Sequence, residues 1–482
     1  MENLGDRQLR SFIRWDLHAG SVLCLALCCY LLTAETVLGS EQLQSGSVDS
    51  FAVADQDTYA VEKNFGRAAA EIVGVNAFVW FYDRYIRAGG GEGFKIGWNS
   101  LAENIKNGFE WDDNSFATNQ FAHPYHGSLY YNAARSNGYD FWNAMPFTFA
   151  GSYMWEYFGE THHPSINDWI ATSVGGIALG ETLWRLSSAI LDNTAIGSER
   201  RWREVGAFVV NPMRGFNRLV TGEASRVHAN PENRFPQAIS SNLAIGFRTI
   251  GEEELWKSDT TRVYIDFEFD YGDPFAGDMG KPYDHFDFNL QINFDDKSTI
   301  GLAHTKGLLA GTTVRDTESS QHIIAAFQHY DYINNYAYEL GGQSIGASFL
   351  SRFETDRGFV LRTALHLNAI LLGATNSDYQ NFSGREYDYG PGFCFKFEGY
   401  FARNYWNFLT VSHEQYWIHA VNGNLANHLV SFSQAKINIP LTNFVGIGIE
   451  YLLFLADSTY EEYPNVSSRN PEMRLYATWQ ID

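Results

Sequence analysis

Cysteine is almost missing from this chain. Four occur in 482 residues, and Cys24, Cys28 and Cys29 all lie in one apolar run near the start, which leaves Cys394 alone downstream. A single thiol closes no internal disulfide, so no covalent staple is expected in the folded part. Charge is scarce as well, at 19% of residues, and positive charge is the scarcer kind: the net charge is −22. Nucleic acid is therefore excluded as a partner. No phosphate-binding loop is present, and no histidine or cysteine spacing matches a standard zinc motif. Long uninterrupted apolar helices are lacking too. The segments 68–86, 145–159 and 168–191 are apolar and rich in small residues, but Glu71, Glu156 and the Glu181/Arg185 pair interrupt them. Charges inside a bilayer are expensive, so these segments fit the buried helices of a compact bundle better than membrane spans.

The N-terminus carries the apolar run "AGSVLCLALCCYLLTA" (19–34), preceded by Arg7, Arg10 and Arg14 and followed by Gly39 and Ser40. That pattern predicts a secretory signal peptide over 1–39, although Glu2, Asp6 and Asp16 make its leading region more acidic than usual. A polar linker over 40–63 and a helical module over 64–195 follow.

From about residue 240 the period of the pattern changes from 3.6 to 2. In "VYIDFEFDY", Val263, Ile265, Phe267, Phe269 and Tyr271 fall on one face, and Tyr264, Asp266, Glu268 and Asp270 on the other. "FDFNLQINF" and the final stretch from Met473 to Ile481 alternate in the same way. About twelve such stretches occur, many of ten or more residues, and aromatics reach 16% of the chain. Strands of this length, apolar outside and polar inside, point to a transmembrane β-barrel rather than a soluble sandwich. The fold class expected is an α+β membrane protein: a small N-terminal helical bundle followed by an antiparallel transmembrane barrel of about 12 strands over 239–482. By this pattern Asp266, Glu268, Asp270, Asp287 and Asp295 face the lumen, with Arg362 and His366. A signal peptide plus an acidic barrel places the protein in the outer membrane of a Gram-negative-type bacterium, with the N-terminal module periplasmic or inside the barrel. The segment 196–238, rich in Pro, Gly, Asn and Arg, reads as an ordered linker that plugs or caps the barrel mouth.

The polar stretch "NQFAHPYHGSLYYNAARSNG" (119–138) is the main candidate for function. Pro124 suits the first turn of a helix and Asn137-Gly138 its end, which puts His123 at a helix N-terminus. There the helix dipole favours a neutral imidazole, a base or a metal ligand. His126 lies one turn on. Glu156 and Glu160 are spaced i,i+4 on a further expected helix. The four residues His123, His126, Glu156 and Glu160 are candidates for acid–base catalysis or for holding a divalent metal. Tyr125, Tyr131, Arg135, Asn167 and Asp168 are candidates for binding a ligand. Structural readings compete with these: buried tyrosines satisfying partners, Ser165 with Asp168 as a variant capping box, Glu181 with Arg185 as a helical ion pair, and Gly175, Gly176 and Gly180 as sites of close helix packing.

The stretches "NQFAHPYHGSLYYNAARSNGYDFW", "WEYFGETHHPSINDWIATSVGGIALGE" and "NPMRGFNRLVTG" resemble an uncharacterised bacterial outer-membrane family, the domain of unknown function 3943, over roughly 70–222. The resemblance implies an envelope protein and supplies no activity. The function expected is an outer-membrane barrel whose helical module binds or gates an envelope lipid or glycan, with outer-membrane lipid as its surroundings. Two other classes stay open. One is a lipid- or glycan-modifying enzyme with a His/Glu site in the helices. The other is a passive pore, disfavoured because a large folded module is expensive to keep merely beside a channel.

Overall fold

The structure is a computed structural model. It describes residues 62–87, 91–231, 238–251, 261–276, 279–294, 297–380, 384–403 and 406–481. The expected signal peptide, nearly all of the 40–63 linker and Asp295 lie outside the described residues. Those described form two compact units that interleave along the chain: one gathers the residues up to Gly108, Tyr125–Pro164 and Leu179–Phe235, the other Phe109–Pro124, Ser165–Ala178 and the chain from Pro236 on.

The first unit is helical. Its helices are α1 (Phe65–Tyr85), α2 (Trp98–Asn107), most of α3 (His123–Ser136), α4 (Phe141–Phe158), most of α6 (Gly176–Ile190), α7 (Gly197–Val210) and α8 (Pro212–Val220). Short polar side chains start several of them: Asn64 caps α1, Asp140 caps α4 and Asn211 caps α8, with Pro212 in its first turn. Among the described residues no helix is long and apolar enough to cross a membrane. Tyr130, Ile72, Val75, Ala133 and Met213 form an apolar centre. Gly180 lets α6 approach α3, since a Cβ there would lie 2.7 Å from the Tyr131 ring. Of the segment 196–238, expected as a linker, the described residues up to 231 are largely helical. Arg200 ties the turn after α8 down, donating to the carbonyls of Asn193, Ala195, Glu223, Ala224 and Arg226.

Carboxylates sit inside this unit. Glu71 is buried and accepts from Asn137 Nδ2 and Asn217 Nδ2, each at 2.8 Å. Burial pushes its carboxyl up to about 7, against the two asparagines and Arg67. The unfolded chain therefore releases this proton at lower pH than the folded one. The stabilisation is present in full below about pH 4.5 and is lost as pH rises towards 7. Chemical denaturation between pH 4 and 8 should show the helical unit weakening by roughly 1–3 kcal/mol across that window. Glu71→Gln should flatten the dependence, and an unchanged slope would show that Glu71 does not cause it.

The second unit contains a closed antiparallel barrel of twelve strands in which each strand pairs with its sequence neighbours and β1 with β12. The strands are β1 (Ile239–Ile250), β2 (Thr261–Tyr271), β3 (Phe286–Asn293), β4 (Ile300–Thr317), β5 (Ser320–Asn334), β6 (Glu339–Glu354), β7 (Phe359–Asn376), β8 (Tyr387–Arg403), β9 (Trp406–His419), β10 (Ala426–Pro440), β11 (Val445–Tyr460) and β12 (Val466–Ile481). The period of 2 divides outside from inside. On β7, Leu365 and Leu367 are exposed while His366 and Asn368 are buried; on β8, Phe393 and Phe395 are exposed while Cys394 and Lys396 are buried. Asp266, Glu268, Asp270, Asp287, Arg362 and His366 all fall on the inward face, as the pattern predicts.

The lumen departs from the expectation of a uniformly polar interior, because it has two storeys. One is ionic. Lys396 Nζ lies 2.7 Å from Asp331 and 3.1 Å from Glu414. Lys306 bridges Asp287 and Glu398, Lys436 meets Glu268 at 2.7 Å, and Arg474 meets Glu472 at 2.6 Å. The other is apolar. Towards the end where β5 turns into β6, the inward residues Ile333, Leu340, Ile370, Cys394, Tyr416, Ile418, Val430, Phe432, Leu452 and Phe454 pack into one cluster with Tyr338. Inward side chains of the strands themselves thus fill the lumen at that end.

Candidate functional site

The segments Phe109–Pro124 and Ser165–Ala178 belong to the barrel unit, and they pack on the outside of its wall. Tyr387 and Tyr389 of β8 share the face of the exposed Phe393 and Phe395, so they point outward, yet both are buried. Asn119 Nδ2 donates to the Tyr387 hydroxyl at 2.8 Å, and Tyr387 donates to the Asn114 carbonyl at 2.6 Å. Gln120 and Asn167 donate to the Tyr389 hydroxyl at 3.4 and 3.3 Å. Arg385 donates to the Asp112 carbonyl at 2.8 Å. On the neighbouring part of the wall, Phe116 stacks on Tyr332 of β5 with ring centres 5.7 Å apart.

The helical chain here is irregular for a reason visible in the sequence. A π turn, Thr118–Ala122, runs directly into α3, so His123 is inside a continuous helix and not at its N-terminus. That corrects the dipole argument. Pro124 has no N–H for the Gln120 carbonyl four residues earlier. The Tyr330 hydroxyl of β5 donates to that carbonyl at 2.6 Å. A second π turn, Ala171–Gly175, follows the short helix α5 (Ile166–Ile170), and there Gln328 Nε2 of β5 reaches the Val174 carbonyl at 3.1 Å. Helical carbonyls loosened by π turns are thus met by outward side chains of one strand. Gly175 makes room beside Pro124, where a Cβ would approach to 2.9 Å. Tyr330→Phe should cost about 1–2 kcal/mol and expose 109–124 to protease. Pro124→Ala, which restores an N–H for Gln120, should recover part of that loss in the double variant.

Within this network His123 Nδ1 lies 3.2 Å from Thr172 Oγ1, and His123 Nε2 lies 3.7 Å from Asp168 Oδ2. Burial lowers the His123 imidazole to about 4, and the nearby Asp112 carboxylate opposes this only in part. His123 is therefore neutral near pH 7, through burial rather than through a helix dipole. Ser165 caps α5 by accepting from the Asp168 N–H at 3.2 Å and donates to Asn167 Oδ1 at 2.8 Å; Asn167 in turn donates to Asp168 at 2.9 Å. A hydroxyl, a neutral imidazole and a carboxylate in series could relay a proton. Thr172 and Asp168 are both buried, however, and the His123 contacts to them also fasten the two segments together.

The remaining candidates lie in the helical unit. His126 Nε2 is 2.8 Å from the Tyr130 hydroxyl, and its ring meets Trp155 edge-on at 5.2 Å. Glu156 is buried in α4, where its charge adds to the burial that lifts the Tyr130 phenol well above its usual range. Glu160 does not share the Glu156 helix face, because α4 ends at Phe158 with Gly159 as its cap. Burial pushes Tyr125 up to about 12. Tyr131 and Arg135 converge on Glu181: the Tyr131 hydroxyl donates at 2.9 Å, and Arg135 and Arg185 each approach at 2.8 Å. Glu181 is thus the hub of a buried ion cluster and more than a pairwise partner of Arg185.

These two segments, with α3 to α7, are where the chain meets a known family. Residues 108–213 match the family described as Domain of unknown function (DUF3943). The DUF3943 match is shorter than the 70–222 suggested by the resemblance. It takes in both π turns, His123, His126, Glu156, Asp168 and the Glu181 cluster, and it stops before the barrel. No curated protein matches the chain. Among solved structures, the NanC porin is 10% identical with a TM-score of 0.25, covering 49% of this chain and 98% of its own. The KdgM porin in complex with disordered oligogalacturonate is 8% identical with a TM-score of 0.23, covering 49% and 98%. The outer membrane channel DcaP of Acinetobacter baumannii is 9% identical with a TM-score of 0.21, covering 50% and 96%. At these values no pore state and no substrate transfers to this chain.

Sequence reasoning missed Arg385, Tyr387 and Tyr389, which fasten Phe109–Pro124 and Ser165–Ala178 to the wall. In "REYDYGPG" the tyrosines look like any outward aromatics of a barrel strand. It also took the chain to lack a Gly-x-Ser-x-Gly elbow, whereas Gly342-Gln343-Ser344-Ile345-Gly346 has that spacing. That stretch lies within β6, paired along its length with β5 and not at a strand-to-helix turn.

Proposed function

We propose that the chain is an integral outer-membrane barrel whose helical module holds an envelope lipid. The observation that carries this is the exposed aromatic surface of the helical unit. On α1, Phe78, Phe81 and Tyr85 follow one another at helical spacing and are all exposed, with the last two rings 5.2 Å apart. On α4, Trp142, Tyr153 and Phe158 are exposed, and Trp98 at the start of α2 is 87% exposed. Surface of this kind calls for an apolar partner, and acyl chains with aromatics at headgroup level meet that need. Arg84 over the Tyr85 ring, at 5.2 Å, supplies positive charge for a headgroup in an otherwise acidic chain. The barrel's outward leucines and phenylalanines support placement in the bilayer, and its apolar storey supports holding or gating over free conduction.

Cell fractionation should recover the protein in the outer membrane, with gel mobility that changes on boiling. Native mass spectrometry of the extracted protein should retain phospholipid or glycolipid. The F78S/F81S/Y85S variant should release it while the barrel stays folded. Recovery as a soluble periplasmic protein, or lipid retention untouched by the triple variant, would overturn the reading.

A further inference from the structure

The lumen holds histidines that no ion pair explains. His329 on β5 and His366 on β7 both point inward, and each is 1% exposed. Their rings lie 5.0 Å apart at 81°, in contact across the intervening strand β6. Among the described residues the Nε2 atoms of both are buried without a hydrogen-bond partner. Ser344, opposite His329 in the β5–β6 register, also has a buried hydroxyl without one. Leaving one such atom unsatisfied costs about 1–3 kcal/mol. Two adjacent imidazoles with their ε nitrogens unpaired are a poor way to fill a wall, and a good way to offer nitrogen donors.

Three features indicate what they would take. Ser348 lies 2.6 Å from His366 Nδ1. If the ring gives its Nδ1 hydrogen to that hydroxyl, Nε2 is left as a lone-pair donor, the usual arrangement behind a metal-bound histidine. Four carboxylates, Asp287, Asp331, Glu398 and Glu414, line this storey with two lysines, Lys306 and Lys396, which leaves these six groups net negative. Those lysines stand opposite His329 and His366 in the register, so the site would hold a metal through its nitrogen donors and not through a negative field. Solvent still reaches Asp287, 28% exposed, so a charged species has a polar approach.

We propose that His329 and His366 form a luminal binding site for a divalent transition metal of the zinc, nickel or copper kind. Imidazole pairs select such ions over calcium or magnesium, which want oxygen ligands. A competing cluster exists nearby, since ligand atoms of His304, Asp331 and Glu414 lie within 4.8 Å of one another. The Lys396 ammonium already bridges both of its carboxylates, which makes it the poorer place for a second cation.

The test uses the full folded chain in detergent, stripped with a chelator, reloaded with Zn2+ or Co2+ and desalted. About one equivalent should stay bound, and Co2+ should give the ligand-field absorption of nitrogen coordination. His329→Asn and His366→Asn should each weaken Zn2+ binding by roughly tenfold or more, with heat-modifiable mobility retained. His304→Asn should leave binding unchanged. No retained metal, retention indifferent to both substitutions, or loss with His304→Asn alone would overturn the proposal. If either asparagine variant fails to fold, the wild-type Co2+ spectrum decides, and a spectrum of oxygen ligands alone counts against it.

Discussion

Lys396→Met should lose most of the folded barrel, or weaken it by roughly 3–5 kcal/mol. Lys396 is buried in the lumen wall of β8 and bridges Asp331 of β5 and Glu414 of β9 at 2.7 and 3.1 Å. Methionine keeps most of the volume and removes the only part that matters here, the ammonium. Two carboxylates would then face each other in a low-dielectric space with little water to screen them. The effect comes from stranding charges and not from losing a favourable pair, so it should be reversible by neutralising them. K396M combined with D331N and E414Q should refold far better than K396M alone. The measurement is the fraction of heat-modifiable band after refolding across a urea series. Equal yields for the wild type and K396M would show that water reaches the Lys396 cluster freely.

Wild-type protein in a planar bilayer should show no steady conductance. The inward cluster of Ile333, Leu340, Ile370, Tyr416, Ile418, Val430, Phe432, Leu452 and Phe454 spans the strands from β5 to β11, and its members are almost fully buried. An ion would have to cross this layer without water, which is the costliest step a pore can contain. Phe432 and Phe454 stack at 5.1 Å within it. F432A/F454A should open a water-filled path and give steady ohmic current, at a stability loss of roughly 3–5 kcal/mol for each ring. A large steady conductance of the wild type would remove the sealed lumen and move the passive pore ahead of a holding or gating role.

Much of the fold could be read from residue alternation alone. The run "VYIDFEFDY" places Asp266 and Glu268 inside because a strand has a period of two, and nothing distant changes that. The same rule located all twelve strands. The alternation legible over 298–307 falls short of β4, which runs on to Thr317, because Gly307, Ala310 and Gly311 break the pattern and the register shifts between Leu308 and Ala310. The candidate site was less legible. The expectation of a neutral His123 rested on a premise the structure removes: a proline usually marks a helix start, and here π turns carry the helix through it. Glu160 was placed on a helix that Gly159 ends.

By itself, then, the sequence determined the class of fold, the strand faces and the single cysteine, Cys394, of the barrel. These follow from local periodicity and from residue counts. Only the tertiary structure decided which inward residues meet across the barrel. Lys306 finds Glu398 and His329 finds His366 through strand order and register, which no local pattern encodes. It also decided that outward tyrosines of β8 are buried under Phe109–Pro124 and Ser165–Ala178 instead of facing lipid. A tyrosine offers the same ring and hydroxyl in either setting, and only the groups brought against it distinguish the two.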